Sequence, residues 1–223
     1  MEQNTKVTAI LEALKGDYPE PRCALEYQKD YELMVAVRLS AQCTDARVNE
    51  VTPALFAAYP SLEALAEADI SHVEELVHSC GFYKNKAREI VLACRMLLTD
   101  YGGKVPGTME ELLKLPGVGR KTANLLLGDL YGAPGAVVCD THCIRISNRL
   151  GLAKGKEPEK VERQLRAVLP PEESSDFCHR LVLHGRAVCT ARNPKCAVCS
   201  LAPCCTYVTV SPAAPVYRST QPS

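Results

Sequence analysis

No apolar run in this sequence approaches the ~20 residues that a membrane-spanning helix needs. The opening MEQNTKVTAILEALKGDYPE also lacks the layout of a secretory signal. Both absences point to an intracellular, cytoplasmic protein, nucleoid-associated if the source is prokaryotic. Net charge is missing too, since 26 Lys+Arg balance 26 Asp+Glu, so the total argues neither for nor against a polyanionic partner. Strand signals are scarce and no repeat is evident, which sets sheet folds and solenoids aside. AVVCD (136–140) favours extended backbone but has no obvious pairing partner, and reads as a connector.

What remains is ordinary globular material. The 223 residues are 47% hydrophobic and 23% charged, enough for one large core or two smaller ones. Charge is unevenly placed. Residues 1–140 carry 14 Lys+Arg against 20 Asp+Glu, and residues 141–223 carry 12 against 6. A positive C-terminal part is compatible with nucleic-acid contact.

The hydrophobic pattern is helical almost throughout. Val7, Ile10, Leu11 and Leu14 recur at helical spacing and stop at Gly16. Further helices are predicted at 31–42, 51–59, 61–68, 73–79, 86–102, 108–115, 120–130, 141–151, 158–170 and 174–189. Ser61 and Thr108 stand where caps are needed, each with an acidic residue within three positions. The class is all-α. After Cys205, the Pro-, Ser- and Thr-rich segment 206–223 reads as a loose tail.

LPGVGRKTAN (115–124) is the first segment that carries chemistry. Two helical stretches flank the turn formed by Pro116, Gly117, Val118 and Gly119. Glycines allow a tight turn and close approach to the backbone, and the first amides of the following helix form an anion site suited to phosphate. Arg120 and Lys121 lie at the mouth of that helix. A lysine there reads equally as a nucleophile or as one more phosphate clamp. Asp140, in VVCDTHCIRISNRLG (137–151), precedes the next helix and suits either an N-cap or a general base.

Twelve cysteines make a second signal. Eight are scattered (Cys23, Cys43, Cys80, Cys94, Cys139, Cys143, Cys178 and Cys204) and read as small buried apolar residues. The other four follow the pattern Cys189-x6-Cys196-x2-Cys199-x5-Cys205. Four thiolates so close in sequence can bind a tetrahedral zinc or a [4Fe–4S] cluster, and composition does not choose. Arg192 and Lys195 fall between the first two, on a loop suited to phosphate contact.

Together, LPGVGRKTAN, VVCDTHCIRISNRLG, LSAQCTDARVN (39–49), GFYKNKA (81–87) and the terminal cysteine set resemble the endonuclease III family of DNA glycosylases. The matching segments run in family order from about residue 30 to 205. The resemblance implies a six-helix bundle over residues 22–133, with a helix-hairpin-helix at about 108–130. A second helical lobe would join residues 1–21 to 134–223 and carry a [4Fe–4S] loop at 189–205, with DNA crossing the cleft between the lobes. It implies that Lys121 attacks C1′ of a damaged nucleotide and that Asp140 assists. Gln42 and Phe82 would fill the gap left by the extruded nucleotide, and Asp45 would line the lesion pocket. Gly117, Val118, Gly119, Arg120, Arg192 and Lys195 would face the DNA. Cys189, Cys196, Cys199 and Cys205 would hold the cluster, with Cys204 a bystander.

The partner implied is damaged double-stranded DNA bound by a monomer, and the activity is removal of oxidised pyrimidines with strand cleavage. Two other readings are compatible with the residues alone. One is a monofunctional glycosylase for mismatched or alkylated bases. The other is a non-catalytic iron–sulfur protein that binds DNA structure or senses redox state.

Overall fold

The computed structural model describes residues 3–210; residues 1, 2 and 211–223 lie outside it. Among the described residues there are α-helices and short 3-10 turns but no strand, so the all-α class holds. The helices are α1 (Gln3–Asp17), α2 (Asp30–Ser40), α3 (Asp45–Ala58), α4 (Leu62–Ala66), α5 (Ile70–Val77) and α6 (Tyr83–Asp100). They continue with α7 (Met109–Leu112), α8 (Arg120–Tyr131), α9 (Thr141–Leu150), α10 (Pro158–Val168), α11 (Ser174–Ala187) and α12 (Thr206–Val210). None is long and apolar enough to cross a membrane.

The chain divides into two compact units, Cys23–Tyr131 and Met1–Arg22 with Gly132–Ser223. In the first, α2 is buried nearly all round, through Tyr31, Leu33, Met34, Val35, Ala36, Val37 and Leu39, as a central helix must be. It packs against α3, α6 and α8. Helix α6 presents Ala87, Ile90, Val91, Cys94 and Leu97 on one buried stripe, and α4 and α5 lie against it. Helix α3 starts at Asp45, six residues before the predicted Val51. The Thr44 side chain accepts from the Arg47 amide at 3.3 Å and so opens the helix earlier than the apolar pattern does.

In the second unit, α1 buries Val7, Ile10, Leu11 and Leu14 against α10 and α11. Arg180 of α11 secures the end of α1, donating from Nε to the Tyr18 carbonyl at 3.1 Å while pairing with Asp176 at 3.2 Å. Segment 136–140 is extended but unpaired in any sheet: the Val138 amide donates instead to the Cys178 sulfur at 3.2 Å. The first five residues of the segment read as a loose tail form α12, which packs on α9, and the Thr206 hydroxyl donates to the Arg149 carbonyl at 2.8 Å. The rest of that segment, 211–223, lies outside the described residues.

Candidate active site and nucleic-acid interface

Within the unit Cys23–Tyr131, the hairpin is built from α7, a turn and α8. Thr108 caps α7 by accepting from the Glu111 amide at 3.3 Å. The chain reverses at Gly117, whose φ of +76° suits glycine and few other residues. A Cβ there would lie 2.6 Å from Arg38 Nε and 2.7 Å from Glu89 Oε2, two side chains joined in an ion pair. Gly117 is therefore dictated from inside the fold. Gly119 differs: nothing lies within 4 Å of where its Cβ would be. Its openness faces outward, where a ligand could approach.

Val118, grouped with the DNA-facing residues on sequence, is only 8% exposed, and its amide donates to the Leu115 carbonyl at 3.1 Å. Its side chain anchors the turn. The residue before α8 is Gly119, which has no side chain to cap the helix as those before α3, α4, α5, α7 and α9 do, and no acidic residue stands in its first turn. The positive end of its dipole is left for an outside anion. Arg120 and Lys121 are exposed at that end.

Gln42 and Phe82 share a backbone peculiarity. They are the two non-glycine residues with positive φ among the described residues, at 55° and 47°. Both are exposed, and Phe82 is 67% exposed, an unusual place for a phenyl ring. Left-handed backbone at an ordinary residue is costly and clusters at functional sites. Asp45 lies in the first turn of α3, where a carboxylate is favoured by the helix dipole.

In the other unit, Asp140 is the N-cap of α9. Its Oδ1 accepts from the Cys143 amide at 2.7 Å, and its Oδ2 lies 3.3 Å from His142 Nδ1. The capping role read from sequence is present, and it fixes the carboxylate in one orientation. Gly185 of α11 contributes from below. A Cβ there would collide with His142 Cδ2 and come within 2.9 Å of Arg145 Nη2, so the glycine lets α9 and α11 approach closely. Sequence reasoning missed this link, which no local pattern signals.

The cysteine loop follows α11. The Cys189 amide donates to the His184 carbonyl at 2.8 Å, and 3-10 turns at Cys196–Val198 and Ala202–Cys204 shape the remainder. Burial raises the Cys196 thiol, and neighbouring Cys189 and Cys205 raise it further. Cys199 is pushed up to about 11, by burial first and then by Cys189, Cys205 and Cys196. Among the described residues, no three His, Cys, Asp or Glu side chains gather into a group that could hold a metal ion. Four cysteine sulfurs suit a tetrahedral zinc or a [4Fe–4S] cluster equally on their chemistry.

The surrounding donors fit such a group. Arg149 Nη1 donates to the Cys189 sulfur at 3.2 Å, and His184 Nε2 lies 3.5 Å from the Cys199 sulfur. Arg149 also binds the carbonyls of Thr190 and Ala191 at 2.8 and 2.9 Å and stacks on Tyr207. It was not singled out on sequence, although it lies in the quoted ISNRLG segment. Arg192 and Lys195 project from this loop as exposed cations.

Comparison with known proteins gives the family. Residues 35–171 match the HhH-GPD superfamily base excision DNA repair protein. The chain is 50% identical over 200 residues to endonuclease III of Synechocystis, covering 90% of this chain and 91% of that protein. It is 40% identical over 198 residues to endonuclease III of Escherichia coli K12, covering 89% and 93%. Among solved structures it is similar to a trapped endonuclease III–DNA covalent intermediate, with a TM-score of 0.86, 38% identity, and 94% and 98% of the two chains covered. This chain belongs to the HhH-GPD superfamily of base excision DNA repair proteins, and within it to the endonuclease III family.

Proposed function

We propose that this protein is a bifunctional DNA glycosylase and abasic-site lyase that removes oxidised pyrimidines from duplex DNA. The observation that carries the reading is Lys121, exposed in the first turn of a helix whose capless N-terminus follows an open glycine turn. Phosphate bound at that turn holds the duplex without regard to base identity. The neutral Lys121 amine then attacks C1′ of the damaged nucleotide, the base departs with the bonding electrons, and an imine forms with the opened sugar. The imine accepts electrons, so loss of the C2′ proton expels the 3′ phosphate and breaks the strand. Asp140 is the carboxylate suited to stabilising the cationic sugar, and His142 steadies its second oxygen.

The target lies inside the stack, so the nucleotide has to be extruded and the gap filled. Gln42 and Phe82, polar and apolar, fill it in this reading, and Asp45 lines the pocket that receives the base. Arg120, Arg192 and Lys195 contact backbone phosphates. A [4Fe–4S] cluster would be held by Cys189, Cys196, Cys199 and Cys205. With all four positions filled by protein, it would supply cross-linking of the loop that carries Arg192 and Lys195.

Borohydride trapping tests the reading. Duplexes carrying one thymine glycol or one abasic site should both yield a covalent complex with the wild-type protein and none with Lys121→Ala. Trapping on the abasic site alone would keep the lyase and reject the oxidised-pyrimidine specificity. Trapping of Lys121→Ala at the wild-type rate would sink the lysine assignment.

A further inference from the structure

Lys86 is one of the largest fully buried side chains among the described residues, at 1% exposed. A buried lysine amine is costly unless it is hydrogen bonded. Here its Nζ donates to two backbone carbonyls, Leu39 at 2.8 Å and Cys80 at 2.7 Å. Burial lowers its affinity for the proton, while the neighbouring Cys80 and Cys43 thiols act in the opposite direction.

The two carbonyls are informative because of where they lie. Leu39 is in the last turn of α2, where carbonyls lose their helical partners, and the Cys43 amide turns to the Ser40 carbonyl at 3.1 Å. Cys80 ends the 3-10 turn His78–Cys80. Three residues after Leu39 comes Gln42, and two after Cys80 comes Phe82. One ammonium therefore holds the roots of the two loops that carry the left-handed residues. The Cys80 thiol is pushed up to about 11, by burial first and then by the neighbouring Cys43, so the same two loops also meet at this pair of cysteines.

An exposed phenyl and an exposed amide do not hold strained backbone by themselves; the surrounding structure has to over-determine it. Lys86 is suited to this, since its charge meets the negative ends of two helical turns and its burial leaves it no alternative acceptor in solvent. We propose that Lys86 is a positioning residue, fixing the Gln42 and Phe82 loops relative to each other so that both side chains enter the duplex as one device. The inference rests on the reading of Gln42 and Phe82 as gap-filling residues. Lys86 itself touches no substrate.

A double-mutant cycle read on two substrates tests it. Lys86→Met keeps the packing of the stem and removes the donor. Borohydride trapping is timed on a duplex with one abasic site and on the same abasic strand unpaired, where no gap needs filling. Helical content and visible absorbance of the cluster are recorded for each variant. Lys86→Met should slow duplex trapping by about ten- to a hundredfold, the scale of a misplaced reacting group, and leave single-strand trapping unchanged. In a Phe82→Ala background the same substitution should cost far less, because the loop it positions has lost its wedge.

Equal losses on both substrates, or a cost undiminished by Phe82→Ala, would make Lys86 merely structural and overturn the proposal. An unchanged duplex rate would overturn it as well. Should Lys86→Met fail to fold, Lys86→Gln keeps a donor for one carbonyl and must show a smaller duplex-specific loss; a wild-type duplex rate would reject the proposal. If Phe82→Ala and Gln42→Ala both trap duplex DNA at the wild-type rate, the gap-filling reading fails first and the role of Lys86 falls with it.

Discussion

Replacing Gly117 and Gly119 with alanine, one at a time, separates two reasons for glycine in one turn. At Gly117 the new methyl meets the Arg38–Glu89 ion pair at 2.6–2.7 Å, on backbone with φ +76°. Left-handed backbone costs a non-glycine residue about 1–2 kcal/mol. Displacing a charge-assisted hydrogen bond between side chains 18% and 33% exposed costs about 1–2 kcal/mol after allowance for solvent. The restricted unfolded chain returns about 0.4–1 kcal/mol. A net loss of about 2–3 kcal/mol lowers Tm by roughly 5–10 °C in a chain of this length.

At Gly119 the methyl meets nothing. Loss of a favourable capping residue, about 0.5–1 kcal/mol, is offset by the same unfolded-state gain, so Tm should stay within about 2 °C. The methyl does stand in the mouth of α8. If phosphate docks there, losing one charged hydrogen bond of about 1.5–3 kcal/mol weakens DNA binding roughly ten- to a hundredfold. Thermal unfolding by circular dichroism and fluorescence anisotropy on a duplex with a stable abasic analogue read the two quantities. Equal Tm losses for both variants, or full stability in Gly117→Ala, would refute the distinction. Wild-type affinity in Gly119→Ala would remove the turn from the DNA interface.

Two further substitutions probe the other unit. Arg149→Leu removes the donor to the Cys189 sulfur and to two loop carbonyls, so purified protein should hold less than about half the wild-type iron, as for other lost ligand-supporting contacts; wild-type iron content and visible absorbance would contradict this. Gly185→Ala drives a methyl into His142 and Arg145. Overpacking of about 1–3 kcal/mol should lower Tm by roughly 2–10 °C and also slow trapping by disturbing His142 beside Asp140. A Tm equal to wild type would show that α9 and α11 can part at no cost.

Much of the architecture was legible locally. Apolar spacing marked most helices, and Ser61, Thr108 and Asp140 do accept from the amides they were placed to cap. Those signals act within four residues, so they survive in the sequence whatever the rest of the chain does. Where a cap outran the apolar pattern, as at Thr44, the boundary was missed by six residues. Burial of the Val118 side chain was not legible for a related reason: it depends on the hairpin closing over a residue that sits between two glycines.

The sequence by itself determined most of the helices, the hairpin turn, the cysteine spacing and the presence of Lys121 and Asp140, because each is specified by neighbours in the chain. Only tertiary structure decided why Gly117 has to be glycine, what Lys86 holds and which cation supports the cysteine loop. Arg38 meets Glu89 across 51 residues, Lys86 meets Leu39 across 47, and Arg149 meets Cys189 across 40. Such contacts exist only after helices have packed, when buried polar groups must find acceptors from whatever the fold brings within reach.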